Sequence, residues 1–77
     1  MESVLGTVQQ VFHDAFGLDS QLVSLETTPA DVPDWDSVGH LDLASRLEQA
    51  FHINFDVDDL MEMENVGAIV KVIAAKL

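Results

Sequence analysis

Hydrophobic residues recur at helical spacing in three separate stretches of the chain, at positions 4–16, 41–51 and 66–77. The intervals of three and four residues place such side chains on one face of a helix. Gly17 follows the first stretch and is a good C-terminal stop. The pattern therefore predicts three long helices, the last one starting near residue 65. The three apolar stripes consist of Val4, Leu5, Val8, Val11, Phe12, Ala15 and Phe16; of Leu41, Leu43, Ala44, Leu47, Ala50 and Phe51; and of Val66, Ile69, Val70, Ile73, Ala74 and Leu77.

The segments between these stripes carry signals of their own. Residues 18–35 contain two prolines and several Ser, Thr and Asp residues, which predicts a long loop between the first and second helices. An ordered loop of this length is uncommon in a small domain and usually serves a function. Asp56 can cap one or two further helical turns. The apolar residues that we expect to attach the loop to the core are Leu18, Leu22, Val23, Leu25 and Val32.

Together these elements predict an all-α fold, a small four-helix bundle with three long helices and a short third helix. A chain of 77 residues gives room for one domain, so we expect a single domain over residues 1–77. The sequence contains no cysteine, and neither a signal peptide nor an apolar run of membrane-spanning length is evident. These features favour a cytoplasmic location.

Acidic residues dominate the charge of the chain. Fourteen Asp and Glu residues against three Lys and Arg residues give a formal net charge of −11 at pH 7. Nucleic acids and anionic membrane surfaces both attract clustered basic residues, so we expect neither as a partner. A hydrophobic content of 48% with regular periodicity argues against a disordered acidic tail. We expect a folded monomer whose protein partners present basic surfaces.

A serine follows an aspartate at the expected start of the second helix. Asp36 is a good N-cap for a helix that runs to about Phe51, so the Ser37 hydroxyl is not needed for capping. Free amides and the macrodipole at a helix N-terminus favour an attached phosphate group, although the neighbouring acids Asp34 and Asp36 oppose it. The local electrostatics alone therefore do not decide whether Ser37 carries such a group. The combination of a preceding aspartate and a helix start is not expected at the other serines, Ser3, Ser20, Ser24 and Ser45.

The run Trp35-Asp36-Ser37-Val38-Gly39-His40-Leu41-Asp42-Leu43 resembles the Asp-Ser-Leu attachment motif of phosphopantetheine-dependent carrier proteins. The order of helices and the long first loop are similar to that family over essentially the whole chain. The resemblance implies an acyl-carrier-protein-like bundle that has no catalytic activity and bears 4′-phosphopantetheine from coenzyme A on Ser37. It also implies that Asp36 helps a phosphopantetheinyl transferase to hold its magnesium ion. The partners that it implies are this transferase, an acyl- or aminoacyl-loading ligase and downstream synthase or transferase enzymes.

One apolar residue lies on the polar side of the second helix. At about 100° per residue, Val38 falls on the same side as Asp42, Ser45 and Gln49, with Arg46 near the edge. Val38 should therefore be exposed to water. The partner-recognition surface that we predict consists of Val38, Asp42, Asp56, Asp58, Asp59 and Glu62.

The second helix departs from the pattern of housekeeping fatty-acid carriers. Those carriers resemble one another in a more acidic helix with a bulky apolar residue on its exposed face. Here Gly39 and Ser45 occupy the corresponding places, and Arg46 and Gln49 reduce the acidic character further. We interpret the chain as a discrete carrier for a specialised pathway, making a polyketide, nonribosomal peptide, modified lipid or surface polymer. The alternatives are a housekeeping fatty-acid acyl carrier protein and, from another class, a helical protein-interaction module without a prosthetic group.

Other constellations in the sequence predict less. Asp36, Ser37 and His40 are the residue types of a catalytic triad, but the Gly-x-Ser-x-Gly elbow is missing and His40 falls on the apolar side of its helix. We expect His40 to be a packed residue with one hydrogen-bonded nitrogen. The acids at positions 56–64 lack the glycine and terminal glutamate of a calcium loop, and the other histidines lack partners at zinc-ligand spacing. We expect neither a catalytic nor a metal site.

Overall fold

A computed structural model describes residues 4–77 as a bundle of α-helices with two short 3₁₀ turns in the first loop. The predicted all-α fold class, with three long helices and a short third one, is confirmed. Each predicted helix is found within about one residue of its expected bounds. The helices are α1 (Val4–Phe16), α2 (Ser37–Phe51), α3 (Val57–Glu62) and α4 (Val66–Lys76), and the turns are Ser20–Leu22 and Pro29–Asp31.

The helices begin and end where the sequence supplies caps. Asp36, Asp56 and Asn65 each accept a hydrogen bond from the amide three residues further on, at 2.8, 2.8 and 2.7 Å. The cap of α3 is reciprocal, because the Asp56 amide donates to the Asp59 carboxylate at 3.1 Å. At its other end, α1 stops at Gly17, whose φ of 69° suits a residue without a Cβ. The predicted roles of Asp36, Asp56 and Gly17 are confirmed.

The core lies between the long helices and the first loop, and it corrects part of the predicted stripes. Leu41 is 61% exposed, because it stands two residues from the buried Leu43 and therefore points about 200° away from it. Ala50, Ala74 and the chain-end Leu77 are exposed as well, whereas Val72 is buried although the predicted stripe omitted it. The main core consists of Val8, Val11, Phe12, Val23, Val32, Trp35, Leu43, Leu47, Met63, Val66, Ile69, Val72 and Ile73.

The first loop is fixed to the start of α4 by its backbone. The amides of Val66 and Gly67 donate to the carbonyl oxygens of Thr27 and Leu25, each at 2.9 Å. These amides belong to the first turn of a helix and would otherwise have no partner. Val23 and Val32 are buried and Leu18 is partly buried, as predicted. Leu22 and Leu25 are exposed, so the prediction for these two is wrong: Leu25 binds α4 through its carbonyl, not its side chain.

No helix in the range 4–77 has the length and apolar character needed to cross a membrane.

An ion pair joins the short helix α3 to the end of α4. Lys76 Nζ lies 2.7 Å from Asp59 Oδ2. The Lys76 hydrogen bond lowers the pKa of the Asp59 carboxyl below its ordinary value, and the same bond raises the pKa of Lys76. Because the carboxyl pKa is lower in the folded chain, the pair stabilises the fold above the ordinary pKa of 3.8. This contribution is lost as the pH falls through the lowered value.

We expect Lys76→Met to lower the melting temperature by a few degrees at neutral pH, and the difference from wild type to shrink as the pH falls below 3.8. Thermal unfolding followed by circular dichroism measures both. Lys71→Met is the matched control, because it changes the net charge equally but Lys71 has no ion pair within residues 4–77. An equal effect of the two substitutions at neutral pH would contradict the role of the pair.

Candidate functional site

Ser37 is the first residue of α2 and its side chain is exposed. The cap of the helix is Asp36, whose Oδ1 accepts the amide hydrogen of Gly39 at 2.8 Å. The Ser37 hydroxyl makes no hydrogen bond to any residue between 4 and 77. As predicted, capping does not use this hydroxyl, which leaves it accessible for covalent modification.

The surroundings of Ser37 fit a phosphate group on its hydroxyl. The backbone amides of Ser37 and Val38 have no hydrogen-bond partner among residues 4–77, as is usual in the first turn of a helix. Such amides and the positive end of the helix macrodipole favour a bound anion. The carboxylates of Asp34 and Asp36 are exposed beside these amides, and their negative charge disfavours a bound anion. The site therefore offers donors for a phosphodiester next to carboxylates that suit a metal ion brought by another enzyme.

Gly39 allows two other segments to touch the first turn of α2. A Cβ at this position would overlap the Asp34 carbonyl oxygen and lie 3.2 Å from the Phe16 ring. The loop end and the end of α1 thus pack directly on the backbone of the first turn of α2, two residues after Ser37. From the sequence, Gly39 was interpreted as a departure from an acidic pattern. The structure gives it a steric role as well.

Trp35 and His40 connect the start of α2 to α3. Trp35 Nε1 donates to His40 Nδ1 at 2.8 Å, and His40 Nε2 lies 3.0 Å from the Leu60 carbonyl oxygen. An indole nitrogen only donates, so Nδ1 accepts and Nε2 carries the hydrogen that is donated to Leu60. The two ring planes differ by 21° and their centroids lie 6.1 Å apart, which suits an in-plane hydrogen bond. His40 is partly buried as predicted, but both its nitrogens are bonded, whereas one was expected.

This arrangement does not assemble a hydrolase site. His40 directs both ring nitrogens to Trp35 and Leu60, and neither bonds to Ser37 within the described chain. A triad needs its histidine aimed at the serine. Residues 4–77 contain no group of three or more His, Asp or Glu side chains that could hold a metal ion.

A shallow groove of about 350 Å³ lies beside Ser37. Its floor includes Trp35 and Met63, which are only 3% and 2% exposed, so the groove rests directly on the core. Trp35 in turn packs edge-on against Phe12 at a centroid distance of 5.1 Å. The residues that line the groove are Pro29, Trp35, Asp36, Ser37, His40 and Met63.

The predicted recognition residues differ in their exposure to solvent and in the interactions that they already make. Val38 is 77% exposed, which confirms that an apolar side chain stands on the wet face of α2. Asp42 is exposed and its carboxylate pairs with Arg46 Nε at 2.9 Å. On α3, Asp58 and Glu62 are exposed. Asp56 and Asp59 also serve as the reciprocal cap of this helix.

Three further exposed apolar residues were not predicted. Leu41 follows Val38 by three positions on α2, and this spacing places the two side chains on neighbouring parts of the helix surface. Val57 and Met61 are exposed on α3, the latter at 71%. The spacing from Val38 to Leu41 could have indicated the first of these. The sequence around Val57 and Met61 contains no comparable signal for their exposure.

Comparisons with known proteins agree with this fold. The chain matches the family described as "Phosphopantetheine attachment site" over residues 2–73. It is 33% identical over 76 residues to the acyl carrier proteins of Tropheryma whipplei strains Twist and TW08/27, covering 97% of this chain and 93% of theirs.

Among solved structures, the chain is similar to the solution NMR structure of holo acyl carrier protein from Geobacter metallireducens. The TM-score is 0.86 and the sequence identity is 30%, covering 95% of this chain and 84% of the other. The predicted resemblance is thereby confirmed. The cofactor that the family indicates is covalently attached 4′-phosphopantetheine. The chain belongs to the phosphopantetheine-dependent acyl carrier protein family, whose members are carriers and not enzymes.

Proposed function

We propose that this chain holds a thioester-linked acyl or aminoacyl intermediate on a 4′-phosphopantetheine arm attached to Ser37, for a specialised biosynthetic pathway. The observation that carries the assignment of Ser37 is its exposed hydroxyl at the start of α2, beside a cap that Asp36 already provides. We further propose that the chain works in the cytoplasm, which its lack of cysteine favours.

In the attachment reaction, the main task of the carrier is to position the Ser37 hydroxyl. The Ser37 oxygen forms a bond to the phosphate that bears pantetheine in coenzyme A, the diphosphate bond breaks, and 3′,5′-ADP leaves while the hydroxyl proton is lost. One oxygen of Asp36 is engaged as the cap, and the other makes no hydrogen bond within residues 4–77. We propose that this second oxygen contacts the magnesium ion of the transferase.

Intact mass tests the attachment. The protein is incubated with coenzyme A, magnesium and a broad-range phosphopantetheinyl transferase, and we expect a gain of one phosphopantetheine per chain. An established carrier protein in a parallel reaction shows that the transferase is active. If that carrier gains mass and this chain does not, the alternative of a helical interaction module without a prosthetic group is favoured.

The exposed face of α2 supports the specialised pathway over housekeeping fatty-acid synthesis. Ser45, Arg46 and Gln49 are all exposed, so this face is less acidic and less apolar than the fatty-acid pattern. Rates with a fatty-acid synthesis enzyme test the distinction. If that enzyme uses the modified chain as efficiently as its own carrier, the housekeeping alternative is correct.

The partners implied by the family are a phosphopantetheinyl transferase and biosynthetic enzymes. For this chain we propose a loading ligase and downstream synthase or transferase enzymes that dock basic surfaces on the predicted recognition surface. That surface carries Val38 and Asp42 on α2, the three acids of α3 and its cap Asp56.

Val38→Asp is expected to slow both modification and loading at least tenfold without changing the helical content. An exposed apolar side chain among charges is a candidate binding anchor, and acids around it chiefly affect encounter rates. The kcat/KM of the transferase and circular dichroism of each variant provide the measurement. Leu22→Asp is the matched control, because Leu22 is 74% exposed but lies in the first loop. Equal loss in both variants would contradict the role of Val38.

A further inference from the structure

A side-chain hydrogen bond connects α2 to α3 close to Ser37. Within residues 4–77, α3 packs on α4 and makes few close backbone contacts with α2. His40 crosses this boundary from α2, where it stands one turn after Ser37, and donates to the Leu60 carbonyl. That carbonyl belongs to the last turn of α3 and also accepts the Met63 amide hydrogen at 3.4 Å. His40 therefore supplies a second donor to the end of α3 from the neighbouring helix.

The same imidazole lies between the groove and the core. It lines the groove with Ser37 and Met63, and on its other side it accepts the Trp35 indole hydrogen. A chain tethered to Ser37 that passed between α2 and α3 would have to displace it. The buried Trp35 would then lose the acceptor of its indole N–H, and the Leu60 carbonyl would lose one of its two donors, which is unfavourable.

We infer that the Trp35–His40–Leu60 bridge determines the class of cargo, keeping the boundary closed to long alkyl chains and restricting the protein to short or polar acyl groups. Such groups lie in the open groove with the end of the arm. Its volume of about 350 Å³ is near the lower end of the about 300–1,000 Å³ usual for small-molecule sites, and the arm itself takes part of it. The inference rests on the proposed function, because the cargo reaches the groove only through an arm on Ser37.

Melting temperatures of acylated forms test this inference. The transferase is supplied with coenzyme A or with its acetyl, 3-hydroxybutanoyl or octanoyl thioester, and each product is verified by intact mass. An acyl chain that inserts into the folded core stabilises it, since the unfolded chain has no such site. For wild type we expect the same melting temperature for all four forms. For His40→Leu we expect the octanoyl form to melt several degrees above its own unacylated form.

Each comparison is made within one variant, so a general loss of stability in His40→Leu does not affect it. His52→Asn is the matched control: this exposed histidine has a φ of 56°, which asparagine tolerates, and it should behave like wild type. If His40→Leu fails to fold, Trp35→Phe removes the donor to His40 while keeping an aromatic ring in the core, and it should show the same gain with octanoyl.

Amide shifts of wild type give an independent readout. Octanoylation should leave the amide resonances of Leu43, Leu47 and Ile69 in the core unchanged. Large shifts there, or an octanoyl form of wild type that melts well above the unacylated form, would overturn the inference while leaving Ser37 as the attachment site. Absence of any mass gain would instead refute the proposed function, and the inference with it.

Discussion

Ser37→Ala is expected to abolish phosphopantetheine transfer and leave the fold unchanged. The substitution removes the only atom that can form the phosphodiester at this position. It removes no hydrogen bond within residues 4–77, and Asp36 still caps α2. Exposed substitutions of this kind usually change stability by about 0.5 kcal/mol or less. Intact mass after the transferase reaction and thermal unfolding of both proteins measure the two outcomes.

Two serines provide controls for this result. Ser45 is exposed on α2 but far along the helix. Ser20 is the more stringent control, because it also follows an aspartate: Asp19 caps the 3₁₀ turn that Ser20 begins, accepting from Gln21 at 2.9 Å. The sequence thus holds a second Asp-Ser pair, at the start of a three-residue turn and not of a long helix. Ser20→Ala and Ser45→Ala should be modified like wild type. Transfer to Ser37→Ala would contradict the assignment.

Gly39→Ala is expected to destabilise the protein severely. In an unobstructed helix, alanine in place of glycine stabilises by up to about 1 kcal/mol. Here the added methyl group meets the Asp34 carbonyl oxygen and the Phe16 ring, so the loop end and α1 must both move. Overpacking of this kind costs about 1–3 kcal/mol, in a domain whose size permits only about 3–5 kcal/mol of net stability.

Urea unfolding of Gly39→Ala measures this effect, with Ser45→Ala as a helix control that adds no contact. We expect the midpoint of Gly39→Ala to fall sharply and that of the control to stay close to wild type. Because the loop end precedes Ser37 directly, the variant should also be a poorer transferase substrate at temperatures where it remains folded. A midpoint at or above that of wild type would show that the close approach of Asp34 is not what requires glycine.

The parts of the structure that follow from nearby residues were predictable from the sequence. The caps at Asp36 and Asp56 and the stop at Gly17 depend on atoms a few positions away, and all three were found as expected. The candidate attachment site shares this property, since its geometry depends on a capped helix start. This is why an aspartate and a serine at the start of a long helix sufficed to indicate it.

Contacts between distant segments were not predictable in the same way. His40 has a partner twenty residues away in Leu60, and periodicity alone cannot reveal a hydrogen bond to a backbone oxygen on another helix. The steric role of Gly39 depends on how closely the Asp34 carbonyl approaches it. Which flank of a helix is buried depends on its neighbours as well, so Leu41 was wrongly placed in the core and Val72 was omitted from it.

The position of Trp35 also makes the protein a natural optical probe of the groove beside Ser37. The chain has one tryptophan and no tyrosine, so its near-ultraviolet emission comes from a single indole. That indole lies beneath the groove beside Ser37, packs on Phe12 and donates to His40. Fluorescence of the unlabelled protein therefore reports on one place, where the first loop, the core and Ser37 meet.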